Sequence, residues 1–270
     1  MTSLIAWIGI GTSGFNSFYL ASDSRISWGG NSTPLVWDCG RKLFASKNYP
    51  DILGYCGDVL FPSQILMQVI EHIDSGLLFN PDDTPLAKFQ NILSIIKQSF
   101  LGYPILSSDT VSIIYCTRQN FFKQQVVYVW NLTWKTGKWN TNLLTLPIRS
   151  GLVQALGSGQ KTINTFYEKW NRSEIGNTSR NVFSAFCDAL KSGEDRRSCG
   201  SPQLVGFYRE GSAKSFGVIY NNERYLFGLP VNQDAKWEGV EWRNKLFERC
   251  DGKFKVILDG TQRHARPNSI

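Results

Sequence analysis

Histidine is nearly absent from this chain: His72 and His264 are the only two. That scarcity weakens His-rich metal sites and most nucleophilic triads built on an imidazole base. The six cysteines stand far apart, at 39, 56, 116, 187, 199 and 250, and no CxxC pair occurs. Neither a zinc ribbon nor a disulfide scaffold is indicated. No apolar run approaches the ~20 residues a membrane helix needs. The opening MTSLIAWIGIGTSG has no basic segment ahead of its apolar one, which argues against a secretory signal. A membrane partner is therefore not expected, and the expected location is cytoplasmic. Internal repeats and low-complexity stretches are also missing.

What is present is globular. Apolar residues make up 42% of 270 and charged residues 19%, enough to build a sizeable core. The net charge of +7 is spread along the chain rather than gathered in a block. It reads as a solvated basic surface, with attraction to an acidic partner or nucleic acid as the sharper reading. Most of the nine Trp lie in apolar strand patterns, which favours core packing over base stacking, so nucleic acid is not the expected partner.

Two short apolar runs, 4–10 and 18–21, flank the turn cluster GTSGFN and read as a hairpin. After the polar, Gly-rich stretch 28–40, the runs 42–45 and 52–56 read as a second strand pair. The period then changes. Segments 61–78 and 84–101 have helical spacing, the latter with Thr84 as N-cap and Pro85 at the first helical position. Strands return over 110–117, 126–134, 139–146 and 152–156, and helices over 160–171 and 179–192. Strands at 204–209, 215–220 and 224–227 follow. Beyond Pro230 the chain reads as polar and irregular, with a short helix expected over 237–247 and a short strand over 254–258. Strand sets alternating with helix pairs predict a layered α+β sandwich rather than a βαβ repeat. The expected division is residues 1–228 as the folded domain and 229–270 as a C-terminal extension.

One residue near the start stands out chemically. A threonine hydroxyl is a poor nucleophile without a base in reach. If Met1 is removed, Thr2 gains a free α-amine with an ordinary pKa near ~8, able to take the proton of its own hydroxyl. Thr2 opens an apolar strand, so this terminus is expected to be held rigidly. Asp23 follows the second strand and Lys42 opens the third. A lysine beside the amine would favour its neutral form by repulsion, and an aspartate would anchor that lysine. The bland alternative for Asp23 and Lys42 is a surface ion pair, worth little. His72, inside the first helix, reads as structural or exposed.

The runs TSLIA at 2–6, ASDSR at 21–25, RKLF at 41–44, GYCGD at 54–58 and GSG at 157–159 occur in an order with a known counterpart. The ordered set resembles the proteasome β-subunit and HslV family of N-terminal nucleophile (Ntn) hydrolases, over roughly residues 2–228. The resemblance implies a four-layer αββα sandwich and a threonine-type peptidase needing no metal or organic cofactor. It implies Thr2 as nucleophile, Asp23 orienting Lys42, Lys42 tuning the amine, the Gly57 N–H as oxyanion donor and Ser158 positioning the amine. Asp195 and Ser198, after the fourth helix, match the family's outer support. Tyr55 and Cys56, just before Gly57, are expected to border the first specificity pocket. Peptide or unfolded protein is the implied substrate, a homo-oligomeric ring the implied assembly, and an ATP-dependent unfoldase the implied partner. The sequence departs from the pattern in a longer first hairpin, which sets Asp23 later than usual, and in the extension from 229. An Ntn amidase acting on small amides and a catalytically silent β-like subunit are the alternatives.

Overall fold

The computed structural model describes residues 2–28, 35–80, 82–104, 110–121, 124–235, 238–263 and 266–267. The first hairpin joins β1 (Ser3–Gly11) to β2 (Gly14–Ser22), with Gly14 turning the chain at φ +91°. On its other edge β1 pairs antiparallel with β10 (Gly151–Gly157). A strand paired on both edges and packed on both faces reads as a continuous apolar run, which is why LIAWIGI does not alternate. The period of two still decides destinations. Leu4, Ala6 and Ile8 face one core, while Ile5 and Trp7 face another.

Between these come β3 (Ile26–Trp28) and β4 (Leu35–Trp37), a separate two-stranded ribbon. Then follow β5 (Leu43–Ala45), β6 (Ile52–Gly57), α1 (Leu60–Asp74) and α2 (Pro85–Phe100). The Thr84 hydroxyl caps α2 by accepting the Ala87 N–H at 3.2 Å. A second sheet, in the order β5-β6-β7-β8-β9, is completed by β7 (Val111–Phe121), β8 (Gln124–Lys135) and β9 (Lys138–Leu143). After β10 come α3 (Gln160–Asn171) and α4 (Ser179–Ser192), the latter capped by Thr178 and stopped by left-handed Gly193. The first sheet continues from β2 through β11 (Gln203–Tyr208), β12 (Lys214–Tyr220), β13 (Glu223–Leu226) and β14 (Leu229–Pro230).

The protein is thus a mixed α/β fold with four helices among the described residues. Apolar packing falls into three main cores. One joins α1 and α2 to the second sheet through Phe61, Leu66, Phe89, Ile96, Tyr115 and Trp130. Another joins α3 and α4 to the first sheet through Trp7, Tyr19, Phe183 and Phe186. A third lies between strands of the two sheets, where Leu4, Leu20, Ile52, Ile114, Val129 and Val205 meet. No helix is long and apolar enough to cross a membrane, among the described residues. His72 is exposed on α1, and His264 lies outside the described residues. The six cysteines are all free.

The C-terminal segment departs from expectation. Within 237–247, of which Trp237 lies outside the described residues, the chain forms no helix but β15 (Trp242–Asn244), parallel to β12. Gly217 sits opposite Trp242, and a Cβ there would meet the indole, so the missing side chain makes room for the ring. Tertiary packing overrides local propensity here. Residues 254–258 make turns and a single bridge, Ile257 to Cys250, instead of a strand. Cys250 itself belongs to β16 (Arg249–Cys250), which pairs with β15. The stretch beyond Pro230 is therefore not simply irregular, since β15 and β16 extend the first sheet.

Glu241 holds this segment. It accepts hydrogen bonds from the Tyr208 hydroxyl at 2.7 Å, Lys214 Nζ at 2.5 Å and Arg243 Nη2 at 3.2 Å. Burial pushes its carboxyl up, but Lys214, Tyr208 and Arg243 together outweigh that and hold it below the usual range. A group depressed in the folded state contributes stability above its unfolded value and loses it as pH falls through the folded one. Proteolysis of the extension is expected to accelerate as pH drops below the ordinary glutamate value of 4.5, and Glu241→Gln should flatten that dependence. Cleavage independent of pH in the parent protein would contradict this.

Candidate active site

The start of β1 is clamped from both sides. Thr2 C=O accepts the Ser158 N–H at 3.1 Å, and Ser3 C=O accepts the Asp23 N–H at 3.2 Å. Gly157, at φ +93°, lets β10 pass so close that a Cβ would collide with the Thr2 carbonyl oxygen. Thr2 is fully buried, and its Oγ1 has no hydrogen-bond partner among the described residues. A buried hydroxyl without a partner is costly and calls for an explanation.

Asp23 and Lys42 are both 0% exposed, which removes the surface-pair alternative. Lys42 Nζ donates to Asp23 Oδ1 at 2.8 Å and to the Arg25 carbonyl at 2.5 Å. The same Asp23 Oδ1 accepts the Ser3 N–H at 2.9 Å, so the ammonium and the main chain next to Thr2 share one oxygen. Asp23 Oδ2 takes the Arg25 N–H at 3.0 Å and the Cys199 N–H at 3.2 Å. Burial pulls the Lys42 ammonium below its ordinary value, opposed by Asp23. Burial likewise pushes the Asp23 carboxyl up, opposed by Lys42 and the backbone donors. Arg25 anchors the outer edge through a two-bond pair with Asp38, at 2.6 and 2.8 Å.

A chain of hydroxyls and one carboxylate lies on the other flank. Ser3 Oγ donates to Ser198 Oγ at 2.8 Å, and Ser198 Oγ donates to Asp195 Oδ2 at 2.7 Å. Ser158 Oγ donates to the same Asp195 oxygen at 2.7 Å. Gly159 leaves space for this chain, since a Cβ there would strike Ser3 Oγ and crowd Asp195 and Ser198. Ser158 is exposed and Ser198 buried, so the chain runs from solvent to the residue beside Thr2.

Of the sequence-derived candidates, Asp23, Lys42, Ser158, Asp195 and Ser198 are brought together around Thr2 and Ser3. Gly57 ends β6 at φ +104°, where a Cβ would collide with the Thr110 carbonyl oxygen, so this position demands glycine. Tyr55 and Cys56 point to opposite faces of β6. Tyr55 is enclosed in the α1–α2 core, its hydroxyl donating to the Arg41 carbonyl at 3.1 Å. Cys56 packs between the sheets, where burial pushes its thiol up to about 12. Both side chains are occupied by core packing, so the structure gives neither an open wall to border a substrate. Ser3, whose N–H and hydroxyl link the two flanks, and Gln203, discussed below, were not singled out by sequence. A lone serine in a strand and a lone glutamine at a strand start carry no pattern.

Among the described residues no three His, Cys, Asp or Glu side chains gather as a metal site requires. No protein-family model and no curated sequence matches the chain. Among solved structures, the chain is similar to eukaryotic HslV from Trypanosoma brucei. Identity is 14%, with 76% of this chain and 99% of that one covered and a TM-score of 0.47.

Proposed function

We propose that this protein is a proteasome-like threonine-type peptidase, built as a four-layer αββα sandwich, in which Thr2 is the nucleophile. The observation that carries the reading is the fully buried Lys42–Asp23 pair. It reaches the Ser3 N–H through a shared oxygen, beside a Thr2 hydroxyl that has no partner among the described residues. A buried ion pair is weak evidence for stability, because desolvation offsets attraction. A role in chemistry explains why it is there.

In this mechanism the residue before Thr2 is removed and the Thr2 α-amine is freed. Thr2 Oγ attacks the peptide carbonyl while the amine takes the hydroxyl proton, directly or through a water. The carbonyl electrons move onto the oxygen, which the Gly57 N–H holds; a donor of this kind contributes roughly 3–4 kcal/mol. The C–N bond then breaks, the protonated amine gives its proton to the leaving nitrogen, and an ester remains on Thr2. Water hydrolyses that ester. The Lys42 charge keeps the amine neutral near pH 7, and the Ser158–Asp195–Ser198 chain fixes its position. Ring assembly and an unfoldase partner accompany this reading as proposals carried by the sequence resemblance, and a cytoplasmic setting is proposed with them.

A second reading has one observation in its favour: Thr2 is fully enclosed. It makes the chain a catalytically silent β-like subunit. Turnover assays on a panel of peptides and small amides separate the cases. Peptide cleavage supports the peptidase, cleavage of small amides alone supports an amidase, and no cleavage by protein starting at Thr2 supports the silent subunit.

A further inference from the structure

Gln203 opens β11 and is fully buried. Its register sets it opposite Ser22, at the end of β2, so its side chain meets the segment that leads from Asp23 to Lys42. There its amide makes three hydrogen bonds to main chain. Nε2 donates to the Asp23 carbonyl at 3.1 Å and to the Gly40 carbonyl at 2.6 Å, and Oε1 accepts the Lys42 N–H at 3.0 Å. Chemistry fixes the orientation. Turned over, the amide would set its oxygen against two carbonyls and its NH2 against an N–H. Both of its N–H groups and its oxygen are thus spent on joining residues 23, 40 and 42. The Lys42 carbonyl is tied separately to β6, through the Tyr55 N–H at 3.2 Å.

Resting on the threonine-nucleophile reading, we infer that Gln203 is a positioning residue. It locks the main chain of Lys42 to that of Asp23, so that the ammonium stays on the carboxylate beside Thr2. A lysine stem has four rotatable bonds, and its head holds one place only if its Cα does. Gln203 makes no contact with the reacting atoms; it acts through Lys42. The crowding around it leaves no slack, since a Cβ on Gly228 would press on Ser24 and come near Gln203 Nε2.

Two variants test this. Gln203→Met keeps length and burial but removes both donors and the acceptor. Gln203→Glu keeps one acceptor oxygen and turns the other against two carbonyls. Protonation of that oxygen restores a donor. The expected result is folded Gln203→Met with kcat lowered by about tenfold or more and KM little changed, because geometry rather than binding is lost. Activity of Gln203→Glu relative to the parent should rise as pH falls. Independently of activity, NMR of ε-13C-labelled lysine should show the Lys42 resonance titrating at a different pH in both variants. Unchanged kcat together with an unmoved Lys42 titration would overturn the inference. So would a loss of activity that tracks melting temperature alone while the Lys42 resonance stays put. Should Gln203→Met fail to fold, Gln203→Glu carries the same measurements. If the parent enzyme shows no acyl transfer, the peptidase reading fails by itself, and the lysine titration still decides whether Gln203 places the ammonium.

Discussion

Thr2→Ala is expected to abolish peptide turnover, by roughly four orders of magnitude or more, while leaving the fold in place. The second half of that expectation follows from the structure. Thr2 Oγ1 makes no hydrogen bond among the described residues, so its removal breaks none there, and the bond that seats the residue runs through its carbonyl to the Ser158 N–H. Removing a buried hydroxyl with no partner relieves a desolvation cost instead of creating one. The lost Cγ2 methyl works against this gain, so the melting temperature of Thr2→Ala should stay close to that of the parent. Thr2→Ser keeps the hydroxyl and the amine and should keep measurable turnover. Undiminished cleavage by Thr2→Ala would move the chemistry to another residue.

Replacing Lys42 has two effects that must be separated. Activity should fall by orders of magnitude, because the charge that keeps the terminal amine neutral is gone. Stability should fall as well, by about 3–5 kcal/mol, since breaking a buried pair strands its partner. In Lys42→Met, Asp23 keeps its three backbone donors, Ser3, Arg25 and Cys199, but burial raises its carboxyl with no ammonium to oppose it. A group raised in the folded state contributes stability below its unfolded value and loses it as pH rises through the folded one. Relative to the parent, the destabilisation of Lys42→Met should therefore be smallest in acid and grow as pH climbs above the ordinary aspartate value of 3.8. Combining it with Asp23→Asn removes the stranded charge. Thermal melts should then recover at neutral pH while kcat stays low. Recovery of activity along with stability would reduce the pair to a structural role.

How much of this was legible in the sequence follows from local physics. The hairpin, both helix pairs and the Thr84–Pro85 helix start carry their own periodicity and capping chemistry, so they are readable without tertiary information. Trp242 is different. Its strand exists because Gly217, on β12 well before it in the chain, leaves space for an indole, and no local pattern announces that. The site shows the same split. Thr2, Asp23 and Lys42 were visible because each sits at a strand boundary in an ordered set of motifs. Gln203 was not, since its importance lies in three main-chain groups that only the folded chain brings within its reach. Tyr55 and Cys56 looked like a pocket rim from their place before Gly57, but strand alternation sends them into two different cores.

The central claim is that residue 2 is acylated on its hydroxyl while its own amine is free. Intact-mass and peptide-mapping spectrometry on enzyme quenched during turnover of a slow peptide ester tests it most directly. The account predicts active protein whose first residue is Thr2, carrying the acyl group there. Active protein that retains Met1, or an acyl group mapped to any other residue, would contradict it.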